Sequence, residues 1–309
     1  MFLKRIIRGA FGSPFFYMDY TNINSFLNYL ELEKRYSAHT LTSYKKDLND
    51  FLNYLKSVYG LPIEKIDLIH ARSYMVTLIE NNLARSTVSR KISAIKSFFK
   101  FLLKKGIVNN SPVHLLETPK LAKRLPVFVK EDDISKLFSN DNFNNNIEGI
   151  RDQLIMTLFY QTGIRLSELI NIKEKDVGVN EIKVTGKRNK QRLIPLTPNL
   201  LNLISSYREQ KKRLFGSQPY LILTDKGNKL YEKFVYRKVN GYLSLVSSKQ
   251  KKSPHILRHT FATHMLNNGA DLNAIKELLG HENLAATQIY THNTFQKLKS
   301  IHQQSHPRG

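Results

Sequence analysis

The chain has 309 residues, no cysteine, and 48 lysines and arginines against 25 acids, a formal net charge of +23. The missing cysteines exclude disulfides, thiolate zinc sites and cysteine nucleophiles, and no apolar run approaches the roughly 18 residues that span a bilayer. So large a positive charge points to a polyanionic partner, nucleic acid ahead of an anionic membrane surface.

The length suits two domains. The opening "MFLKRIIRGAFGSPFFYMDY" is basic and then mildly apolar. Gly9, Gly12, Ser13 and Pro14 break the apolar run, and no small-residue cleavage site follows. Residues 1–18 are therefore expected to be a disordered extension rather than a signal peptide. Met18 is a second candidate start, which an intact mass containing residues 1–17 would dismiss.

Residues 19–106 read as a helical domain. Ile23, Phe26, Leu27, Leu30 and Leu32 form a stripe. Leu41, Tyr44, Leu48, Phe51, Leu52 and Leu55 form a second, stopped by Gly60. A third helix is expected through "HARSYMVTLIENN" and a fourth through "ARSTVSRKISAIKSFFKFLLKKG". The fourth carries seven basic residues and no acid. Its apolar face can pack while the basic face points outward, and a face of one sign favours phosphates. Pro112, Pro119 and Pro126 then mark an extended linker over 107–126.

Residues 127–309 are mixed. Asp132 and Asp133 open a helix, "GIRDQLIMTLFYQTG" is an apolar helix, and "RLSELINI" restarts a helix after Gly163. "EIKVTGKRNKQRLIPL" reads as two strands around a basic turn. Helix, a strand at "PYLILT" and helix follow, then short helices at 254–268, 271–279, up to Tyr290, and near 294–303. The class is mostly α with a small antiparallel β-sheet.

Seven of the ten histidines fall at or after position 255. His255 and Arg258 are three apart on one helix, Arg165 follows the Thr162–Gly163 turn, Lys187 tops the hairpin, and His281 opens the segment that leads to Tyr290. These groups suit a phosphodiester. Two guanidiniums, Arg165 and Arg258, can clamp the non-bridging oxygens, histidines can move protons near neutrality, and Lys187 can bring one to a leaving alkoxide. Tyr290 is a poor nucleophile unless nearby cations favour its phenolate; otherwise it is a packing aromatic. His259 and His264 are expected to be structural. His255 and His259 stand at i, i+4, but no zinc site is expected without a Glu between them or a cysteine. "TGKRNK" lacks the P-loop spacing, and no carboxylate cluster suits two-metal chemistry.

"TGIRLSELINI", "VTGKRNKQRLIPL", "PHILRHTFATHMLNNGADLNAIKELLG" and "LGHENLAATQIYTH" resemble, in order, the signature blocks of tyrosine recombinases, most closely the bacterial Xer type. "EKRYSAHTLTSYKKDLNDFL" and "RSTVSRKISAIKSFFKFL" resemble that family's core-binding domain. The resemblance implies a two-domain clamp on DNA: a helical core-binding domain and a mixed catalytic domain with Arg165, Lys187, His255, Arg258, His281 and the nucleophile Tyr290. It implies a 3′-phosphotyrosyl link, a 5′-hydroxyl protonated by Lys187 (with Lys190 as the competing acid), and neither metal nor other cofactor. It further implies double-stranded DNA with a specific recombination site and a tetrameric synapse. A second recombinase and a septal DNA translocase would be partners in chromosome dimer resolution, in the cytoplasm at the nucleoid and not at a membrane. Arg85, Ser86, Arg90 and Lys91 are the expected DNA contacts of the first domain, and the tail "FQKLKSIHQQSHPRG" is expected to dock on a neighbouring protomer. The alternatives are an integrase or invertase of a mobile element, a type IB topoisomerase, and a non-cutting architectural DNA binder.

Overall fold

A computed structural model describes residues 14–119, 127–139, 142–186, 189–247, 252–280 and 292–308. The chain divides into two compact units, Met1–Arg124 and Leu125–Gly309. As expected, the described elements are mostly helices with one two-stranded antiparallel sheet. No helix among the described residues is long and apolar enough to cross a membrane.

The first unit is built from α1 (Pro14–Leu32), α2 (Ala38–Val58), α3 (Leu68–Glu80) and α4 (Arg85–Lys104). Helix α1 begins at Pro14, inside the stretch expected to be disordered; proline suits a first turn because its missing N–H has no partner there anyway. Ser37 caps α2 by accepting from the Thr40 amide. Phe26, Phe51, Phe98 and Phe99 fill the core, with the Phe26 and Phe98 rings 5.3 Å apart. Leu32, expected in the α1 stripe, is instead 78% exposed. It is the helix's last residue, and Leu30 already closes the core. The segment read as linker is partly core as well: Val108, Val113 and Leu116 are buried in this unit.

Helix α4 does not turn all its basic residues outward. Lys91 is buried, its Nζ 2.6 Å from Asp50 Oδ2 and 3.1 Å from Asp47 Oδ1. Arg90 also pairs with Asp47. A buried ammonium needs a carboxylate. The acids that satisfy these cations lie on α2, where a reading of α4 alone does not find them.

The second unit is arranged around α6 (Ile147–Thr162), whose residues from Leu154 to Thr162 are all buried. Around it lie α5 (Glu131–Leu137), α7 (Leu166–Leu169), α8 (Pro198–Phe215), α9 (Glu232–Val246), α10 (Pro254–Asn267), α11 (Leu272–Leu279) and α12 (His292–Ser305). Strands β1 (Glu181–Thr185) and β2 (Gln191–Pro195) pair with Ile182 opposite Ile194 and Val184 opposite Arg192. "PYLILT" forms no strand, only single bridges from Tyr220 to Lys173 and from Leu223 to Lys229. The buried Lys211 ammonium takes the Tyr220 and Leu221 carbonyls instead of a neighbouring strand.

The tail, expected to dock on a neighbour, packs here on its own unit. Leu298 and Ile301 join the cluster of Phe261, Met265, Leu278 and Leu279. His302 and His306 are buried and stacked, rings 5.1 Å apart. Their Nε2 atoms lie 2.6 Å from the Gln161 carbonyl and 3.1 Å from the Tyr160 carbonyl, at the end of α6. Burial pushes both imidazoles down; for His306 the His302 ring adds to this and the value is about 3. The groups facing the pair are Tyr160, the buried His264 (itself pushed down by burial) and Arg308. Docked histidines refuse protons that free ones accept, so docking is strongest above about pH 6.5 and weakens as the pH falls below it. Hydrogen-exchange protection of α12 relative to α6 is expected to drop between about pH 7.5 and about pH 5. Equal protection at both would contradict a neutral pair holding the tail.

Candidate active site

Helix α11 ends at Gly280 in the left-handed conformation, with φ +65°. A helix end leaves carbonyls without intrahelical donors. Here three consecutive ones are taken by three arginines from three elements. Arg192 Nε on β2 donates to Leu278 O at 2.7 Å, Arg258 Nη2 on α10 to Leu279 O at 2.6 Å, and Arg165 Nη2 at the start of α7 to Gly280 O at 2.9 Å.

Arg258 is buried, and its other nitrogen, Nη1, donates to the Gly163 carbonyl. Gly163 is the left-handed cap of α6. A side chain there would meet Phe261 at 2.6 Å and Leu279 at 2.7 Å, so only glycine lets α6 end against α10 and α11. Arg258 thus lies between the C-terminal ends of two helices, whose partial negative charges stabilise a cation without neutralising it. Burial, then the charges of Arg165 and Arg192, push its guanidinium down to about 9, with Glu168 opposing. The arginine stays protonated at neutral pH, in a place short of negative charge.

Glu168, on α7, is the carboxylate that binds this group together. It accepts from the Arg165 amide and from Arg165 Nη1, both at 2.8 Å, and from Arg192 Nη1 and Nη2 at 2.8 and 2.9 Å. Burial raises its carboxyl, but Arg192 and then Arg165 outweigh that and leave it at about 2. The hairpin turn starts alongside: a Cβ on Gly186 would lie 3.2 Å from Glu168 Oε1 and 3.8 Å from Arg165 Nη1.

The structure therefore brings Arg165 and Arg258 to one place. His255 lies exposed on the first turn of α10, rather than buried with Arg258. Lys187, His281 and Tyr290 lie outside the described residues. Their described neighbours are Gly186 at the turn, Gly280 at the arginine cluster and His292 at the start of α12. Lys190, the competing acid, is exposed, and its carbonyl accepts from the Gly186 amide. In the first unit Arg85 and Ser86 are exposed, Arg90 is exposed but paired, and Lys91 is not available as an outward contact. His264 is a packing group, between the Tyr160 hydroxyl and the Val129 carbonyl. Sequence reasoning missed Arg192 and the part played by Glu168. Strand alternation carried a signal, since Arg192 lies on the same inward face of β2 as Ile194.

The low Glu168 value has a checkable consequence. A carboxylate whose folded pKa is depressed adds stability above its unfolded value and loses it as the pH falls toward the folded one. From 4.5 to about 2, this is about 3 kcal/mol at ~1.4 kcal/mol per unit. The stability gap between wild type and Glu168→Gln, from urea melts of the full chain, is expected to shrink as the pH drops from about 5 toward about 2. A gap independent of pH would contradict it.

Two family models match the chain. Residues 127–297 match the phage integrase family, and residues 23–106 match the phage integrase N-terminal SAM-like domain. A tyrosine recombinase XerC from Staphylococcus epidermidis is 40% identical over 288 residues, covering 92% of this chain and 97% of the relative. One from Chlorobaculum parvum is 36% identical over 315 residues, covering 92% and 94%. A solved structure of the XerH site-specific recombinase in a post-cleavage complex with a palindromic difH substrate shares the fold, with a TM-score of 0.70 and 22% identity over 91% of this chain and 88% of that one. The chain belongs to the phage integrase family and is a site-specific tyrosine recombinase of the Xer type, an enzyme that cuts and rejoins DNA strands.

Proposed function

We propose that Arg165 and Arg258 hold the scissile phosphate while Tyr290 attacks it, and that the recombinase resolves chromosome dimers. The observation that carries this is the shared position of the two arginines at the ends of α6 and α11, where Arg258 is held by two helix-end carbonyls and Arg165 by one such carbonyl and the Glu168 carboxylate it shares with Arg192. A guanidinium has five N–H donors. Each of the two commits a pair of nitrogens to the protein, and the donors left over serve the non-bridging oxygens as charge builds on phosphorus. The same cations favour the Tyr290 phenolate.

In the proposed reaction the Tyr290 oxygen bonds to phosphorus and the bond to the 5′-oxygen breaks. Lys187 protonates that leaving oxygen, and His255 and His281 hydrogen-bond the phosphate or move protons. The turn at Gly186 beside Arg165 supports the lysine's place. The 5′-hydroxyl of a partner strand then attacks the phosphotyrosyl link, releases Tyr290 and joins the strands. Residues 19–106 and 127–309 act as the core-binding and catalytic domains. The synapse is a tetramer on two copies of a recombination site, with a second recombinase and a septal DNA translocase as partners.

The test is covalent capture on a nicked duplex carrying the chromosome's dimer-resolution site, from which the short 5′ fragment diffuses away. A covalent band is expected with wild type, in chelator, and none with Tyr290→Phe. Arg258→Ala is expected to slow band formation about 100- to 1,000-fold, the cost of one lost oxyanion donor. A band that persists in the Phe variant would place the nucleophile elsewhere. Capture on the ends of a mobile element and not on the chromosomal site would make the enzyme an integrase or invertase.

DNA binding in the first unit gives a separate check. Arg85→Gln is expected to lower the slope of log binding constant against log salt by about 1, the signature of one lost phosphate contact. Lys91→Gln, which removes a buried ion pair, is expected to leave that slope unchanged while lowering the melting temperature. The reverse pattern would restore Lys91 as a phosphate contact.

A further inference from the structure

We infer that Arg192 is a positioning residue for strand cleavage: it fixes the Arg165 guanidinium and the end of α11 without touching the phosphate. The inference rests on the reading of Arg165 as a phosphate clamp.

Arg192 is 6% exposed, and each of its three nitrogens is committed, Nε to Leu278 O, Nη1 to Glu168 Oε1 and Nη2 to Glu168 Oε2. Gly280 lies against its guanidinium: a Cβ there would be 3.2 Å from both Cδ and Nη1. The side chain of Arg165, by contrast, is 27% exposed. Arg192 is the inner member of the cluster and Arg165 the outer one.

The fork geometry gives Arg192 its effect. An arginine alone beside a carboxylate tends to form a two-pronged pair and turn its fork inward. Arg192 occupies both Glu168 oxygens in that way. Arg165 therefore meets Oε1 with Nη1 alone, and its Nη2 goes to the Gly280 carbonyl. Arg192 thus keeps Arg165 from being locked face-on to Glu168. The same side chain ties β2, and so the hairpin that carries Lys187, to the last turn of α11, which leads into His281. Stability alone is a poor account of the triad, since buried ion pairs are often replaceable by apolar groups without loss.

Substitution of the scissile phosphate separates positioning from general damage. A methylphosphonate replaces one charged non-bridging oxygen with a neutral methyl group, so the displacement needs less help from the arginines. Strand cleavage would be measured with the full chain on nicked duplexes that differ only at this group. On the ordinary phosphate, Arg192→Lys, which keeps the charge and loses the fork, is expected to slow cleavage about 100-fold, as for a clamp misplaced by about an ångström, with melting temperature and duplex affinity near wild type. On the methylphosphonate the deficit is expected to shrink to less than about tenfold, as it should for Arg165→Ala. Glu168→Gln, less stable but assayed well below its melting temperature, provides a second variant with the same expected deficits on the two substrates should Arg192→Lys fold poorly. Equal deficits on both substrates, or full activity in Arg192→Lys, would overturn the assignment. If Arg165→Ala is itself not relieved by the methylphosphonate, the clamp reading fails, and the positioning role falls with it.

Discussion

A helix ends with carbonyls that its own backbone cannot satisfy, and at the end of α11 those carbonyls are taken by arginines. Leu278, Leu279 and Gly280 each accept from a different guanidinium. The rest of the catalytic unit can be read from that constraint. The three arginines come from β2, α10 and the start of α7, so the end of one short helix fixes the mutual position of segments that are far apart in the chain. Gly163 and Gly280 permit this because both cap their helices with positive φ; a side chain at Gly163 would strike Phe261 and Leu279, and one at Gly280 would press on Arg192.

The same constraint explains how the site keeps its charge. A buried guanidinium matched by its own carboxylate would be stable and nearly neutral toward a substrate. Arg258 is held by carbonyls at two helix ends instead, which satisfy its hydrogen bonds and leave its charge largely uncancelled. Burial first, then the charges of Arg165 and Arg192, depress its guanidinium to about 9, and Glu168 only partly opposes them. Glu168, the one carboxylate bonded within the cluster among the described residues, is divided between Arg165 and Arg192. An arriving phosphate would supply the missing negative charge.

Much of this was legible in the sequence, and the gaps have physical causes. The helices followed from apolar spacing, and the hairpin from two short apolar runs around a basic turn. Arg165 and Arg258 stood out because they sit beside a glycine turn and a Pro-started helix. Lys91 was misplaced because helix periodicity assigns faces within one helix and cannot see Asp47 and Asp50 on another. "PYLILT" has strand composition, but Lys211 takes the carbonyls a neighbouring strand would need. Arg192 was passed over because its strand was recognised by Leu193, Ile194 and Leu196. An inward-facing charge on a short strand is a contradiction of pattern, and such contradictions mark functional or strained sites.

The segment proposed to carry the nucleophile is flanked in the chain by two helices. The segment that carries His281 and Tyr290 begins where α11 meets the arginines and ends where α12 begins. Helix α12 is in turn docked by Leu298, Ile301, His302 and the following His306 on α6, α10 and α11. Both ends of the segment are therefore tied to elements that also hold Arg258. Movement at the end of α11 cannot alter the arginine cluster proposed to clamp the phosphate while leaving the origin of the tyrosine segment unchanged, because Arg165, Arg192 and Arg258 all bond to the residues from which that segment departs.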